Sequence, residues 1–446
     1  MTPASTLRRL GAALLACCVA PAALADGLWL RAGHVLDVER GVMLDDQAIR
    51  IEDGRIAAIG PWAQASPGAA TVVDWSAYTV LPGLMDMHSH LVGDIQSANV
   101  AAPLLSSQAQ DALTGVANAR ATLAAGFTTV RDVGCYRAYT DVALRNAIAA
   151  GQVEGPRMFV AGAYLTVTRG GGEVTGLAPD VVVPAEMRRG VADSIPEIRQ
   201  RVREILANGA DFIKIIATGA VLTAGTNPNA SEYSEEEIRA AVEEAANAGT
   251  FVAAHAHGVE GIKRAVRAGV RSIEHASYLD DEGIALMVEH GTWLVADIYN
   301  GDYIAEVGRR DGWPAEVLRK NDETTGTQRA AFTKAVRAGV NIAYGTDSGV
   351  YPHGQNARQF AYMVRHGMTP LQAIRSATVD SARLLGRERE FGAIAVGLRA
   401  DLIAVAGDPL RDIELLRDVR GVIQRGRVVK APAPAGIAGG ATGGAR

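Results

Sequence analysis

Through the middle of the chain, short apolar runs alternate with amphipathic stretches, and a glycine separates the two each time. Gly126 precedes Phe127-Thr128-Thr129-Val130, Gly209 precedes Phe212-Ile213-Lys214-Ile215, and Gly249 precedes Phe251-Val252-Ala253-Ala254. Gly269 before Ser272-Ile273-Glu274-His275, Gly291 before Trp293-Leu294-Val295 and Gly339 before Ile342-Ala343-Tyr344 continue the pattern. A glycine just past a helix takes the left-handed conformation at little cost, so each unit reads as helix, stop and buried strand. Glu235 to Ala248 is one such helix, opened by Ser234 with Glu237 three residues later as a capping box. Adding Leu81 to Met87 and Arg157 to Ala161 gives eight strands. The alternation predicts an α/β fold, a (β/α)₈ TIM barrel, over residues 80–395.

The flanks have a different texture. Leu28-Trp29-Leu30, Ala48-Ile49-Arg50-Ile51, Arg55 to Ile59 and Thr71-Val72-Val73 are split by turn residues, and the same pattern returns after residue 395. Residues 26–79 and 396–430 are therefore expected to pair into one small β-sandwich domain formed by both chain ends. Residues 431–446 are almost all Ala, Gly, Pro and Thr and read as a disordered tail. At the other end, Arg8 and Arg9, the apolar run Leu10 to Ala20 and Ala23-Leu24-Ala25 fit a cleavable signal peptide over residues 1–25. The run is short of the roughly 20 residues that span a bilayer, so the expected product is periplasmic or secreted, with no membrane attachment after cleavage. A lipoprotein cut at Cys17 is the minority alternative. With Cys17 and Cys18 in that leader, Cys135 alone remains, and no internal disulfide can form. A net charge of -5 without any block of like charge gives no footing for a nucleic-acid partner.

Metal-ligand side chains close several of these strands. His88 and His90, at i and i+2, share one face of an extended segment and can bind one cation, although a lone H-x-H is weak evidence. Lys214 sits inside Phe212-Ile213-Lys214-Ile215-Ile216, where it either snorkels or stands as a costly buried amine. Carboxylation by CO₂ would turn it into an anionic ligand able to bridge two cations. His255 and His275 each end a strand of successive units; singly, either reads more readily as a satisfied core histidine than as a ligand. Asp347 follows Gly345-Thr346 at the last strand, where a carboxylate can bind metal and accept a proton.

The pattern P-G-L-M-D-M-H-S-H, the strand-end lysine, H-A-H-G, E-H-A and G-T-D-S-G resembles the metal-dependent amidohydrolase superfamily. Thr128 to Gly134, Ala377 to Gly386 and Gly392 to Ile403 are similar to its imidazolonepropionase-like, Xaa-Pro dipeptidase branch, which includes ochratoxin-hydrolysing amidases. The resemblance implies two divalent metal ions, usually zinc, with His88 and His90 on the first, His255 and His275 on the second, and CO₂-carboxylated Lys214 between them. Asp347 would bind the first ion, act as general base toward the attacking water and then as acid toward the leaving amine. His257, two residues past His255 and facing the same way, could contact substrate or equally be structural, and Tyr233 resembles a tyrosine that in this branch approaches the substrate carboxylate. Many relatives carry Gly-Gly-His near the third strand, whereas this chain has Thr168 to Glu173 with Gly171-Gly172-Glu173. Asp132 and Glu274 read as structural, and His290 and His353 as ordinary surface or loop residues.

The implied activity is hydrolysis of an amide or peptide bond beside a carboxylate-bearing amino acid: a dipeptide, an N-acyl amino acid or an ochratoxin-type amide. Branch members are commonly homo-oligomers, and the same is expected here. Hydrolysis of a lactone, an organophosphate or a cyclic amide on the same metals is the alternative chemistry. A catalytically silent barrel would be expected to lack a ligand, and none of the six is missing.

Overall fold

The computed structural model describes residues 27–93 and 99–432. The expected leader, and the expected tail beyond residue 432, lie outside the described residues. Four strands open the chain: β1 (Leu28–Asp37), β2 (Val42–Glu52), β3 (Arg55–Pro61) and β4 (Val72–Pro82). Eight follow in the centre: β5 (Leu84–Ser89), β6 (Phe127–Asp132), β7 (Arg157–Val160), β8 (Tyr164–Leu165), β9 (Ile213–Ile216), β10 (Val252–Ala256), β11 (Ser272–His275) and β12 (Trp293–Val295). Three close it: β13 (Leu402–Val405), β14 (Gly421–Gln424) and β15 (Arg427–Lys430).

Both chain ends do meet, but in one seven-stranded mixed sheet, ordered β15-β14-β13-β4-β1-β2-β3, rather than as two facing sheets. The reason is edge pairing: β13 lies antiparallel beside β4, with Leu402 opposite Pro82 and Ala404 opposite Val80, so one ladder runs across both ends. Leu30, Ala32, Ile49, Trp75, Val80 and Leu402 bury together as its core.

Gly83 is where the chain passes from that sheet into the central one. A Cβ there would lie 2.2 Å from Thr128 Oγ1, so only glycine lets the backbone pass this close to β6. The expected strand Leu81–Met87 is accordingly split, its first residues belonging to β4 and the rest to β5.

The central strands form two parallel sheets, β5-β6-β7 and β12-β11-β10-β9-β8. An irregular segment links them. Ala343 N donates to Leu294 O at 3.0 Å and Met87 N donates to Tyr344 O at 2.7 Å, with single parallel bridges Leu294–Ile342 and Ser89–Ser348. On the far side Asp211 N donates to Val160 O at 2.8 Å. The arrangement is barrel-like, yet the expected last strand is not regular: it pairs only through those two single bridges, and Asp347 beyond it adopts φ +55°. Apolar runs buried on both faces account for the continuous hydrophobicity of these strands. The capping box at Ser234–Glu237 is present, and the helix it opens runs Glu235–Asn247. Among the described residues no helix is long and apolar enough to cross a membrane.

Candidate metal centre

Register and side-chain alternation set the ligands. Lys214 lies beside Ala253, His255 beside Glu274 and Ala256 beside His275 across β9, β10 and β11. His88 and His90 follow from β5, and Asp347 N donates to His88 O at 2.7 Å, which places the aspartate against the first histidine. His275 and Asp347 both hold left-handed backbone, φ +70° and +55°. Non-glycine residues adopt this conformation at a cost, and such strain gathers where side chains must be aimed.

Three groups of ligand atoms converge: His88, His90 and Asp347; His255, His257 and His275; and His275, Asp297 and Asp347. All seven of these residues are buried. His88 Nε2 and His90 Nε2 lie 3.4 and 3.3 Å from Asp347 Oδ1. The rings of His255 and His275 are 4.5 Å apart, and those of His88 and His275 4.8 Å.

Four of the rings are aimed through Nδ1, whereas His255 has Nε2 3.3 Å from Gly219 O and leaves Nδ1 for a cation. His88 Nδ1 is 2.9 Å from Glu274 Oε2, and His275 Nδ1 is 2.9 Å from Asp297 Oδ1. His90 Nδ1 is 2.8 Å from Gly134 O, and His257 Nδ1 is 2.7 Å from Ser277 Oγ. With Nδ1–H donated to these acceptors, Nε2 keeps its lone pair for a cation. Glu274 is itself held by Arg131, whose Nη2 donates to Oε1 at 2.6 Å, both side chains being fully buried. Burial works against Glu274 ionising, but the Arg131 charge and the His88 hydrogen bond overcome it and hold the carboxyl below its ordinary range.

Electrostatics favour the ligand form at His255, His257 and Asp347; at His90 burial is outweighed by the hydrogen bond and charge of Asp347, which raise its pKa. Burial, then the neighbouring imidazoles, depress His255 well below its usual value and bring His257 to about 3. Burial resists ionisation of Asp347 too, yet hydrogen bonds from His88 and His90 carry its carboxyl well below the ordinary range. Lys214 is 2% exposed, and its Nζ has no hydrogen-bond partner among the described residues. Burial lowers it to about 8, so the neutral amine is within reach near neutral pH. An orphaned buried amine beside imidazoles with free lone pairs is what a metal cluster with a modified lysine needs; the donor set fits.

These groups line a cavity of about 160 Å³ together with Tyr164, Gly171, Gly172, Glu173 and Asn300. His257 is on its wall; Tyr233 is not. The Tyr233 hydroxyl instead donates to Ala192 O at 2.9 Å within the core, so the expected substrate contact has no support in this geometry. Glu274 and Asp132 are structural as expected, Asp132 accepting from Leu91 N at 2.8 Å beneath His90. His353 is no ordinary loop residue: its ring packs behind the site, with Nε2 2.9 Å from His90 O. His290 is exposed at a helix end.

Four residues escaped the sequence reading. Tyr164 donates to Gly134 O at 2.9 Å, beside His90. Asp297 receives Gln328 Nε2 at 2.9 Å, and Asn300 Nδ2 donates to Asp347 Oδ2 at 3.0 Å. Asp297, following Trp293-Leu294-Val295, is the one a strand-end rule would have found.

The family model for the amidohydrolase family matches residues 79–429. This chain belongs to that family. Its relatives include an ochratoxinase from Aspergillus niger, 33% identical over 415 residues, covering 88% of this chain and 84% of the relative. Among solved structures, a Xaa-Pro dipeptidase with methionine bound in its active site superposes with a TM-score of 0.86 at 38% identity, over 91% of this chain and all of the other. A prolidase complexed with N-methylphosphonate-L-proline gives 0.84 at 34% identity, covering 91% of this chain and 100% of its own. These neighbours imply a TIM-barrel-like fold, in accord with the two linked parallel sheets. The chain is a hydrolase, metal-dependent as in this superfamily, and enzymes of the family act on small amide or peptide substrates.

Proposed function

We propose that the protein is an exported, two-metal amidohydrolase that cleaves an amide or peptide bond next to a carboxylate-bearing amino acid. The observation that carries this reading is the convergence of buried imidazoles, the Asp347 carboxylate and the unpartnered Lys214 amine on one cavity. His88, His90 and Asp347 would hold one zinc ion and His255 and His275 the second, with carboxylated Lys214 between them. The lysine would get there by adding its neutral amine to CO₂, forming a carbamate and releasing one proton. Bound divalent ions supply Lewis acidity and lower the pKa of water toward neutrality.

The protein's own groups do the rest. Asp347 Oδ1 is turned toward His88 and His90, while Oδ2 is held by Asn300 and keeps a second lone pair. That oxygen takes the proton of the attacking water and returns it to the leaving nitrogen. His257, anchored through Nδ1 on Ser277, presents its other nitrogen to substrate. Dipeptides, N-acyl amino acids and ochratoxin-type phenylalanine amides fit this class; the named relatives are an ochratoxinase, a Xaa-Pro dipeptidase with bound methionine and a prolidase complexed with N-methylphosphonate-L-proline. The leader sequence supports a periplasmic or secreted site of action, and a homo-oligomer is the proposed assembly.

The test is zinc-loaded protein screened against dipeptides, N-acyl amino acids and an ochratoxin-type amide, with lactones alongside. Amide turnover that a chelator abolishes and zinc restores is expected, and Asp347→Asn should lower kcat by about 10²–10⁴-fold. Metal-loaded protein that cleaves lactones and no amide would refute the proposal.

A further inference from the structure

One wall of the cavity has no regular structure and yet is tightly pinned. Residues Ala220 to Ala224, in the loop after β9, line the cavity. Leu222 packs against Ile304, Trp313, Val317 and Val350. The pin is Lys320, on the helix Ala315–Ala338, which is 2% exposed. Its ammonium donates to Thr223 O at 2.8 Å and lies 3.4 Å from Ala220 O, and Glu316 pairs with it at 2.7 Å. Glu316 also accepts from Gly225 N at 3.0 Å. Thr223 Oγ1 donates to Gly171 O at 2.7 Å, which ties the same loop to the glycine segment on the cavity.

Burying an ammonium is costly, and an apolar residue of similar volume would be cheaper at this position. What the charge provides is geometric: from the neighbouring helix, one cation reaches two carbonyls, Ala220 O and Thr223 O, that within the loop accept from Thr226 Oγ1, at 3.1 and 2.9 Å. Among the described residues that line the cavity, Lys214 is the single lysine or arginine. The Leu222 wall therefore offers apolar surface and no cation.

We propose that the Val221–Leu222 wall selects an apolar side chain on the amide substrate, and that Lys320 is the positioning residue that sets this wall. The inference rests on the amidohydrolase reading above and adds the substrate's side-chain class. A glutamate-sized anionic side chain would meet the wall without a partner and be rejected; a leucine-sized one would displace water from it.

The experiment compares zinc-loaded wild type, Leu222→Ala, Lys320→Met and Lys320→Arg on glycylglycine and on leucyl and glutamyl dipeptides carrying the side chain on either side of the bond. Calorimetric binding of the same dipeptides is measured in parallel. In one of the two series wild type should favour the leucyl over the glutamyl substrate at least tenfold in kcat/KM, and Leu222→Ala should cut the leucyl-to-glycyl ratio about tenfold. Lys320→Met should raise KM for the leucyl substrate more than it lowers kcat, with Lys320→Arg recovering part of the loss. If Lys320→Met does not fold, Leu222→Ala and the calorimetry still decide. Dipeptide hydrolysis with no apolar preference, or equal losses on all substrates in Leu222→Ala, overturns this inference alone. Leucyl-selective binding without any turnover would leave it standing and remove the hydrolytic reading instead.

Discussion

Replacing Arg131 with methionine removes the cation that sustains the His88 support. Arg131 and Glu274 are both fully buried and 2.6 Å apart, and the guanidinium also donates to Met87 O at 2.5 Å and Ser272 Oγ at 3.0 Å. The single variant leaves a carboxylate out of water with only His88 and Ser272 as partners, 2.9 and 2.5 Å away. Breaking one side of a buried pair costs about 3–5 kcal/mol. Glu274→Met should cost a similar amount, because Arg131 is then stranded. Removing both charges at once leaves no unpaired ion, so the double variant should be less destabilised than the sum by about 2 kcal/mol or more. The assay is denaturant unfolding of the metal-free proteins, so that metal linkage does not enter. Zinc titration supplies a second readout: Glu274→Met frees His88 Nδ1 and should weaken binding about 10–100-fold. Additive destabilisation within about 0.5 kcal/mol, with unchanged zinc affinity, would refute the reasoning.

Other expectations follow from the same geometry. Burial, opposed by the Gly171 amide, raises Glu232 from 4.5 to about 7. Its folded form binds the proton more tightly, so its contribution to stability is complete below the unfolded value and lost as pH rises through about 7. Glu232→Gln should then be the more stable protein at pH 8 by about 1–3 kcal/mol, allowing for partial solvent access, and nearly neutral at pH 4; an equal change at both, in unfolding curves, would contradict this. Gly345→Ala places a Cβ 2.2 Å from Val295 Cγ1 and 2.9 Å from His88 Cβ. It should cost about 1–3 kcal/mol in overpacking and weaken zinc binding, by thermal unfolding and titration. His353→Phe removes the bond to His90 O and should weaken zinc binding without touching a ligand, whereas unchanged affinity would make that ring mere packing.

Much of the site was legible because barrel chemistry puts ligands where apolar runs end. His88, His90, His255, His275 and Asp347 stand where apolar runs end and Lys214 inside one, and in the structure all six line one cavity. The supporting residues were harder. Asn300 and Gln328 are isolated polar residues on helices, and only the fold brings them to Asp297 and Asp347. A position beside a capped helix says nothing of which way the Tyr233 ring turns; in the structure its hydroxyl donates to Ala192 O. The two β-rich ends were legible as partners, but not as one sheet, since strand patterns carry no information on whether edges or faces meet. The irregular last segment was missed because an apolar run before Asp347 looks like any other strand until its pairing is known.

The central claim is a pair of ions joined through a CO₂-modified Lys214, and carbon NMR of zinc-loaded protein equilibrated with isotopically labelled bicarbonate tests it most directly. A single carbamate resonance in wild type, absent from Lys214→Ala, is the result this account predicts. Zinc bound at full occupancy with no carbamate signal would contradict it.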